Sequence, residues 1–335
     1  MLRNLCIIDM KKGDRDIAID IVKFLAVLLI INSHADVMYP KLQILATGGA
    51  IGDCLFLFCS GFTLLLGGGN SDFGSYYKRR ISRIYPSVFC AALFIILLSR
   101  NSEIHILKLA GGEFIVAIMV YYVLLYYVRE YARDKVPMIL GAVAIVSVVV
   151  YIFWFPNKYE VSSKGLYGIT TYYRWIPYFG AMLLGAYIGM KRQELKYRPW
   201  LDFVKLMCCL AVFYGIQFGA KMYRPMAPWQ IVTLLPLMGI VVYFYKCCHA
   251  QWLTKLYQTK YGNWVIMFVG GLCLESYLIQ SSLFTDEMNS IWPLNLLIIV
   301  VIILACSYLV RCAARIFQQT FRTESYEWKK VFSLT

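Results

Sequence analysis

Two ionisable side chains share one face of the first apolar segment of this chain. Lys23 lies inside Ile17–Ile31 and His34 just beyond it. Eleven residues separate them, so on a helix they differ by ~20° in azimuth and ~16 Å in height. Charge at membrane depth is costly and marks function by default. Each residue also has a plainer explanation. Lys23 can snorkel or pair with Asp20 at i,i+3, and His34 can sit at the interface bonded to a loop. The second apolar segment carries Asp53 and Ser60, seven apart and so again on one face, ~10 Å apart in height. Running in the opposite direction, it brings Asp53 near the depth of His34. A carboxylate there would fix an imidazole's tautomer and support the imidazolium that forms on proton uptake. The Ser60-Gly61 step equally suits close helix packing. A basic stretch follows, Tyr76 to Pro86, with Lys78, Arg79, Arg80 and Arg83. If helical, it puts Arg80 and Arg83 on one side, either as a phosphate clamp or as topological anchors. Pro86 reads as the start of the next helix.

The elements that must position these residues are membrane spans. Of 335 residues, 60% are hydrophobic and only 16% charged, where about 25% charged is normal for a soluble domain. About ten apolar segments long enough to cross a bilayer recur, at 17–34, 44–67, 85–99, 113–128, 136–155, 175–190, 201–219, 229–247, 263–284 and 291–313. The polar start does not read as a cleavable signal. With no repeats, linkers or low-complexity tracts, the expected layout is a segment 1–16, one ten-helix domain 17–313 and a tail 314–335. The fold class is therefore all-α, a polytopic membrane protein whose helices enclose a polar cavity, with both termini cytoplasmic.

The charge of +14 is uneven. With the N-terminus inside, 23 of the 33 basic residues fall on the cytoplasmic side and 8 outside, leaving Lys23 and Lys205 within spans. That is the positive-inside bias, and an even number of spans preserves it. Basicity reports topology, so a nucleic-acid partner is not expected. The eleven cysteines lie mostly in spans and lack CxxC spacing, so neither disulfides nor metal are expected. His105 and His249 lie in loops without acidic partners and read as surface residues. Glu113 and Glu275 lie at outer-half edges, where each pairs with a loop cation or lines a site. Between Trp154 and Trp175, Tyr159, Tyr167, Tyr172 and Tyr173 form an aromatic belt or a surface on which sugars stack.

Taken together these segments resemble the membrane-bound acyltransferase family 3, the O-acyltransferases of surface polysaccharides. The family's first helix has the form Asp-x-x-Arg-x-x-Ala followed by a histidine, met here by Asp20, Lys23, Ala26 and His34. Its Phe-rich stretch ending Ser-Gly-Phe is matched by Phe56–Phe62, and its Arg-x-x-Arg-x-x-Pro motif by Arg80, Arg83 and Pro86. Weaker echoes are Trp175–Lys191, like the Pro-Phe-x-x-Gly-x-x-x-Gly segment, and Leu274–Gln280, like the Tyr-Leu-x-His segment. Three departures stand out: Lys23 for the family's Arg, Gln280 for its histidine, and Gln318-Gln319 for an acidic end of the last helix. No appended esterase-like domain is expected.

The resemblance implies transfer of an acyl group, acetyl first, from cytoplasmic acyl-CoA to a hydroxyl of an extracytoplasmic surface glycan or lipid-linked saccharide. The setting would be a cell membrane, the bacterial cytoplasmic membrane foremost. Under it, His34 and Asp53 are the catalytic candidates, His34 as base or transient acyl carrier. Lys23, Arg80 and Arg83 would hold acetyl-CoA, and Ser60, Glu113 and Glu275 would line the site. A transporter or flippase also wants buried charge, but would show repeat symmetry or broken helices in matching halves. A non-catalytic assembly subunit would leave His34 idle.

Overall fold

The computed structural model describes residues 16–65, 72–99, 111–154, 165–167, 172–321 and 324–333. Regular structure among them is entirely helical. The helices are α1 (Ile17–His34), α2 (Gly49–Leu64), α3 (Phe73–Ser99), α4 (Gly112–Tyr131), α5 (Val136–Trp154), α6 (Trp175–Lys191), α7 (Pro199–Met222), α8 (Leu234–Cys247), α9 (Gln251–Gln258), α10 (Lys260–Gly271), α11 (Cys273–Ile279), α12 (Leu294–Thr320) and α13 (Trp328–Val331).

Among the described residues eight helical segments are long and apolar enough to cross a membrane, or up to nine with the pair formed by α10 and Cys273–Ser282, which bends by 51°. The helix α6 has 17 residues, the lower end of the usual spanning length. The ten expected segments thus correspond to eight long helices, one bent pair and one shorter helix. The break falls at Leu272, just after Gly270-Gly271. Burial separates the helices. In α1 and α2 56% of the apolar window is buried, in α5 and α7 only 17%. A helix that is apolar all round yet mostly uncovered presents its side chains to lipid.

The chain forms two compact units. One comprises Met1–Lys23, Ala50–Gly68 and Ala132–Ile266; the other comprises Phe24–Gly49, Gly69–Tyr131 and Met267–Thr335. In the first, α2 and α6 meet backbone to backbone. A Cβ on Gly61 would lie 1.9 Å from the Met182 carbonyl oxygen, and one on Gly185 2.1 Å from that of Phe58. Only glycine permits this approach, so close packing explains the Ser60-Gly61 step and Gly185. Phe58, Phe62 and Tyr245 pack their rings beside it, at 5.4–6.1 Å between centroids. In the second unit α3, α11 and α12 share a core of Cys90, Ala91, Ile279, Val310 and Ala314.

One boundary differs from expectation. Pro86 does not begin a helix; it lies inside α3, which starts at Phe73. A proline has no N–H for the carbonyl four residues back and normally disrupts a helix interior. Here that carbonyl, Ser82 O, accepts a bond from Gln318 Nε2 of α12 at 2.7 Å. A neighbouring helix re-satisfies the freed group, so α3 runs on. The basic stretch is therefore helical from its first residue.

Candidate active site

His34 is the last helical residue of α1 and is half-buried. The backbone beyond it is held by side-chain amides, residues whose type alone announces no such role. Asn32 Nδ2 donates to the carbonyls of Leu45 (2.8 Å) and Thr47 (3.0 Å). Its Oδ1 accepts from the Tyr39 hydroxyl at 2.6 Å. From the far end of the same unit, Asn289 Nδ2 donates to Val37 O (3.0 Å) and the buried Asn295 Nδ2 to Met38 O (2.9 Å). Gly48, at φ +100, turns the chain beneath Leu29, a left-handed conformation natural to glycine. His34 thus ends a helix whose following loop is held at the carbonyls of Val37, Met38, Leu45 and Thr47. Lys23 lies eleven residues back on the same continuous helix and is also half-buried.

The basic helix face of α3 divides its work. Arg80 lays its guanidinium over the rings of Tyr76 (5.0 Å) and Tyr122 (5.5 Å), cation–π contacts that hold the head in place. Its Nε is buried without a hydrogen-bond partner. Arg129 covers Tyr76 and Tyr126, each at 5.1 Å. Arg83 remains exposed. One turn further along α3, the buried Ser87 hydroxyl donates to Glu275 Oε1 at 2.8 Å. Glu275 is thus tied to α3 from within the core, and its electrostatic neighbours are Arg311 and Arg315 of α12. Glu113 stands in the first turn of α4, half-buried, where a carboxylate complements the helix dipole. Gln280, at the family's histidine position, is buried with Oε1 unbonded.

In the other unit Asp53 is half-buried, and one of its oxygens accepts from the Tyr178 hydroxyl at 3.3 Å. Tyr178 lies nearly parallel to Tyr167, whose hydroxyl meets Thr233 Oγ1 at 3.0 Å. Tyr173, also buried, donates to Ser147 O. Tyr167 and Tyr173 therefore face inward rather than forming a stacking surface; Tyr172 is exposed, and Tyr159 lies outside the described residues. Ser60 is half-buried next to the glycine contact, and its carbonyl accepts from Thr63. Asp20 is buried and accepts from the Tyr257 hydroxyl at 3.0 Å.

His249 is not a surface residue. Its side chain is 6% exposed, with Nε2 3.6 Å from Asp16 Oδ1, and it stacks on Tyr197 at 4.2 Å. Nδ1 lies 3.1 Å from the Tyr245 carbonyl oxygen; a carbonyl only accepts, so the proton sits on Nδ1. Asp16 also accepts from the Tyr245 hydroxyl at 2.6 Å and from the Ala18 N–H at 3.0 Å. Burial, the dominant influence, pushes the imidazole's pKa below its usual value, against the pull of Asp16. The acidic partner lies 233 residues away in sequence, beyond the reach of local inspection. His105 lies outside the described residues.

A described chain without strands, with eight or nine apolar helices of spanning length and charged groups seated between them, is a multi-pass membrane protein. A family model described as an acyltransferase domain, that of acyltransferase family 3, matches residues 16–312. The match covers nearly the whole chain, which therefore belongs to this family and is a membrane acyltransferase. No curated protein and no solved structure matches the chain.

Proposed function

We propose that the protein transfers an acetyl group from cytoplasmic acetyl-CoA to a hydroxyl of an extracytoplasmic glycan or lipid-linked sugar. The observation that carries the reading is His34, half-buried on a helix end braced by Asn32 and, through the following loop, by Asn295, in a chain of an acyltransferase family. With the N-terminus cytoplasmic, as the charge bias indicates, α1 carries His34 to the far side and α3 begins on the near side. Arg80 and Arg83 then meet the donor's phosphates, which suit planar guanidinium forks. The pantetheine arm spans the distance to the reacting carbonyl.

At that carbonyl, neutral His34 takes the proton of the acceptor hydroxyl as its oxygen bonds to the acyl carbon. The carbon–sulfur bond breaks, CoA leaves as thiolate, and the imidazolium returns the proton to sulfur. An ester and free CoA result. In this reading Lys23 serves the donor, deeper along α1, while Asp53, Ser60, Glu113 and Glu275 are candidates tested one residue at a time.

The test is mass spectrometry of cell-surface glycans from cells with and without the gene, complemented by wild type or by His34→Ala. Acetyl esters present with wild type and missing with His34→Ala are the expected result; identical acetylation in all strains overturns the reading. The 51° break between α10 and α11 is the one observation that favours transport instead, since broken helices line many transport sites. A transporter would move its substrate without consuming acetyl-CoA, and the same strains report that.

A further inference from the structure

We infer that Arg311 of α12 is a further phosphate ligand, completing with Arg83 an anion site in the unit that holds α3, α11 and α12. The inference rests on the acyl-CoA reading for the identity of the ligand, though not for the existence of the site.

Arg311 follows Ser307 by one helical turn, so it shares the inward face that buries Ser307, Val310 and Ala314. Ser307 is bonded to Ser276 of α11 at 3.0 Å, which fixes how α12 is rotated against its neighbour. The Arg311 side chain is therefore aimed among helices rather than at lipid, and its Nη1 is buried without a hydrogen-bond partner. The groups acting on it electrostatically are Glu275, Arg315, Cys312 and Arg83. Two of these are guanidiniums and one is a carboxylate.

The charges around Arg311 leave an excess of guanidiniums over carboxylates. Arg315 donates to the carbonyls of Val331 and Ser333, so it anchors the segment after α12. Glu275 accepts from Ser87 at 2.8 Å, and its single negative charge faces both Arg311 and Arg315. Arg311 and the exposed Arg83 act on each other as like charges, and the buried Nη1 of Arg311 has no hydrogen-bond partner. A buried unpaired donor on a cation is unfavourable, and guanidiniums gather where a multiply charged anion bridges them. A pyrophosphate or phosphate monoester answers both deficits at once. An anionic lipid headgroup carries the same chemistry but has a different source, and the experiment separates the two.

Purified protein in detergent is titrated with coenzyme A, inorganic pyrophosphate and pantetheine, and is separately incubated with vesicles containing phosphatidylglycerol. The variants are Arg311→Gln, Arg311→Lys and the double Arg311→Gln/Glu275→Gln, which removes both charges together should the single change impair folding. Arg311→Gln should weaken coenzyme A and pyrophosphate at least tenfold, leave pantetheine unchanged and raise the donor KM more than it lowers kcat. Arg311→Lys should recover part of the loss. Wild-type affinity for both phosphates in the Arg311→Gln and double variants overturns the inference, as does a defect confined to phosphatidylglycerol. Arg311-dependent pyrophosphate binding by a protein that ignores coenzyme A keeps the anion site and refutes the acyl-CoA donor.

Discussion

His34 and Lys23 test the proposed chemistry most directly. Replacing His34 by Ala removes the only base assigned to the acceptor hydroxyl, and general-base catalysis is worth ~10²–10⁴ in rate. We expect acyl transfer to fall at least about a hundredfold while the protein accumulates in the membrane as before, because His34 is half-buried and the loop after it is held by Asn32 and Asn295. Normal turnover by well-expressed His34→Ala protein would sink the assignment. Lys23 poses a different question, since the resemblance calls for arginine there. Lys23→Arg should keep activity and Lys23→Met should lose it at the donor step. Titrating acyl-CoA against purified Lys23→Met protein decides this. Unchanged donor affinity with lost turnover would move Lys23 to the acceptor or chemical step.

The helices hold these residues through a few contacts that replace missing backbone bonds or missing side chains. The clearest is Pro86 in α3, whose absent N–H leaves Ser82 O to Gln318 Nε2. Gln318→Ala should destabilise the protein by about 1 kcal/mol, read as a lower Tm in detergent. In a Pro86→Ala background the residue at 86 regains its N–H and can bond Ser82 O, so the same Gln318→Ala change should then cost little. Equal costs in both backgrounds would show that the glutamine does not serve that carbonyl. This contact also gives Gln318 a physical role where the resemblance calls for an acidic residue. Gly61 and Gly185 are the opposite case: a side chain removed so that α2 and α6 can touch.

Stability of the protein as a unit should depend on pH through His249. Burial among Tyr197, Tyr245 and the Asp16 carboxylate, with Lys246 nearby, holds its folded pKa below the ordinary value. The sign follows from linkage. The folded protein keeps the imidazole neutral where the unfolded chain would take up a proton, so the contribution is complete above the unfolded pKa of ~6.5 and is lost as pH falls below it. Tm measured from pH 7.5 to 5 should therefore drop more steeply for wild type than for His249→Gln. Parallel curves would mean that His249 does not titrate across folding.

Much of this was legible in local order. Apolar runs of spanning length, the alternation of basic loops, and the spacing of Lys23 with His34 all follow from helix geometry and from the cost of charge in lipid, and both act within a few turns of chain. The extent of α3 was not, because whether a proline breaks a helix depends on what reaches the carbonyl it abandons; here that is a glutamine 236 residues away. The burial of His249 is hidden from local sequence for the same reason, its carboxylate lying at the opposite end of the sequence. Asp53 stands out as an acid in an apolar segment, and Tyr178, which donates to it, lies 125 residues on. Sequence alone gives Arg311 as one of many basic residues; the Ser307–Ser276 contact is what shows which way its helix faces. Local sequence sets which segments enter the membrane, since burial in lipid is a property of composition. Which polar groups then meet is set by packing between helices remote in sequence, because an unsatisfied group inside the bilayer must find its partner there or go without.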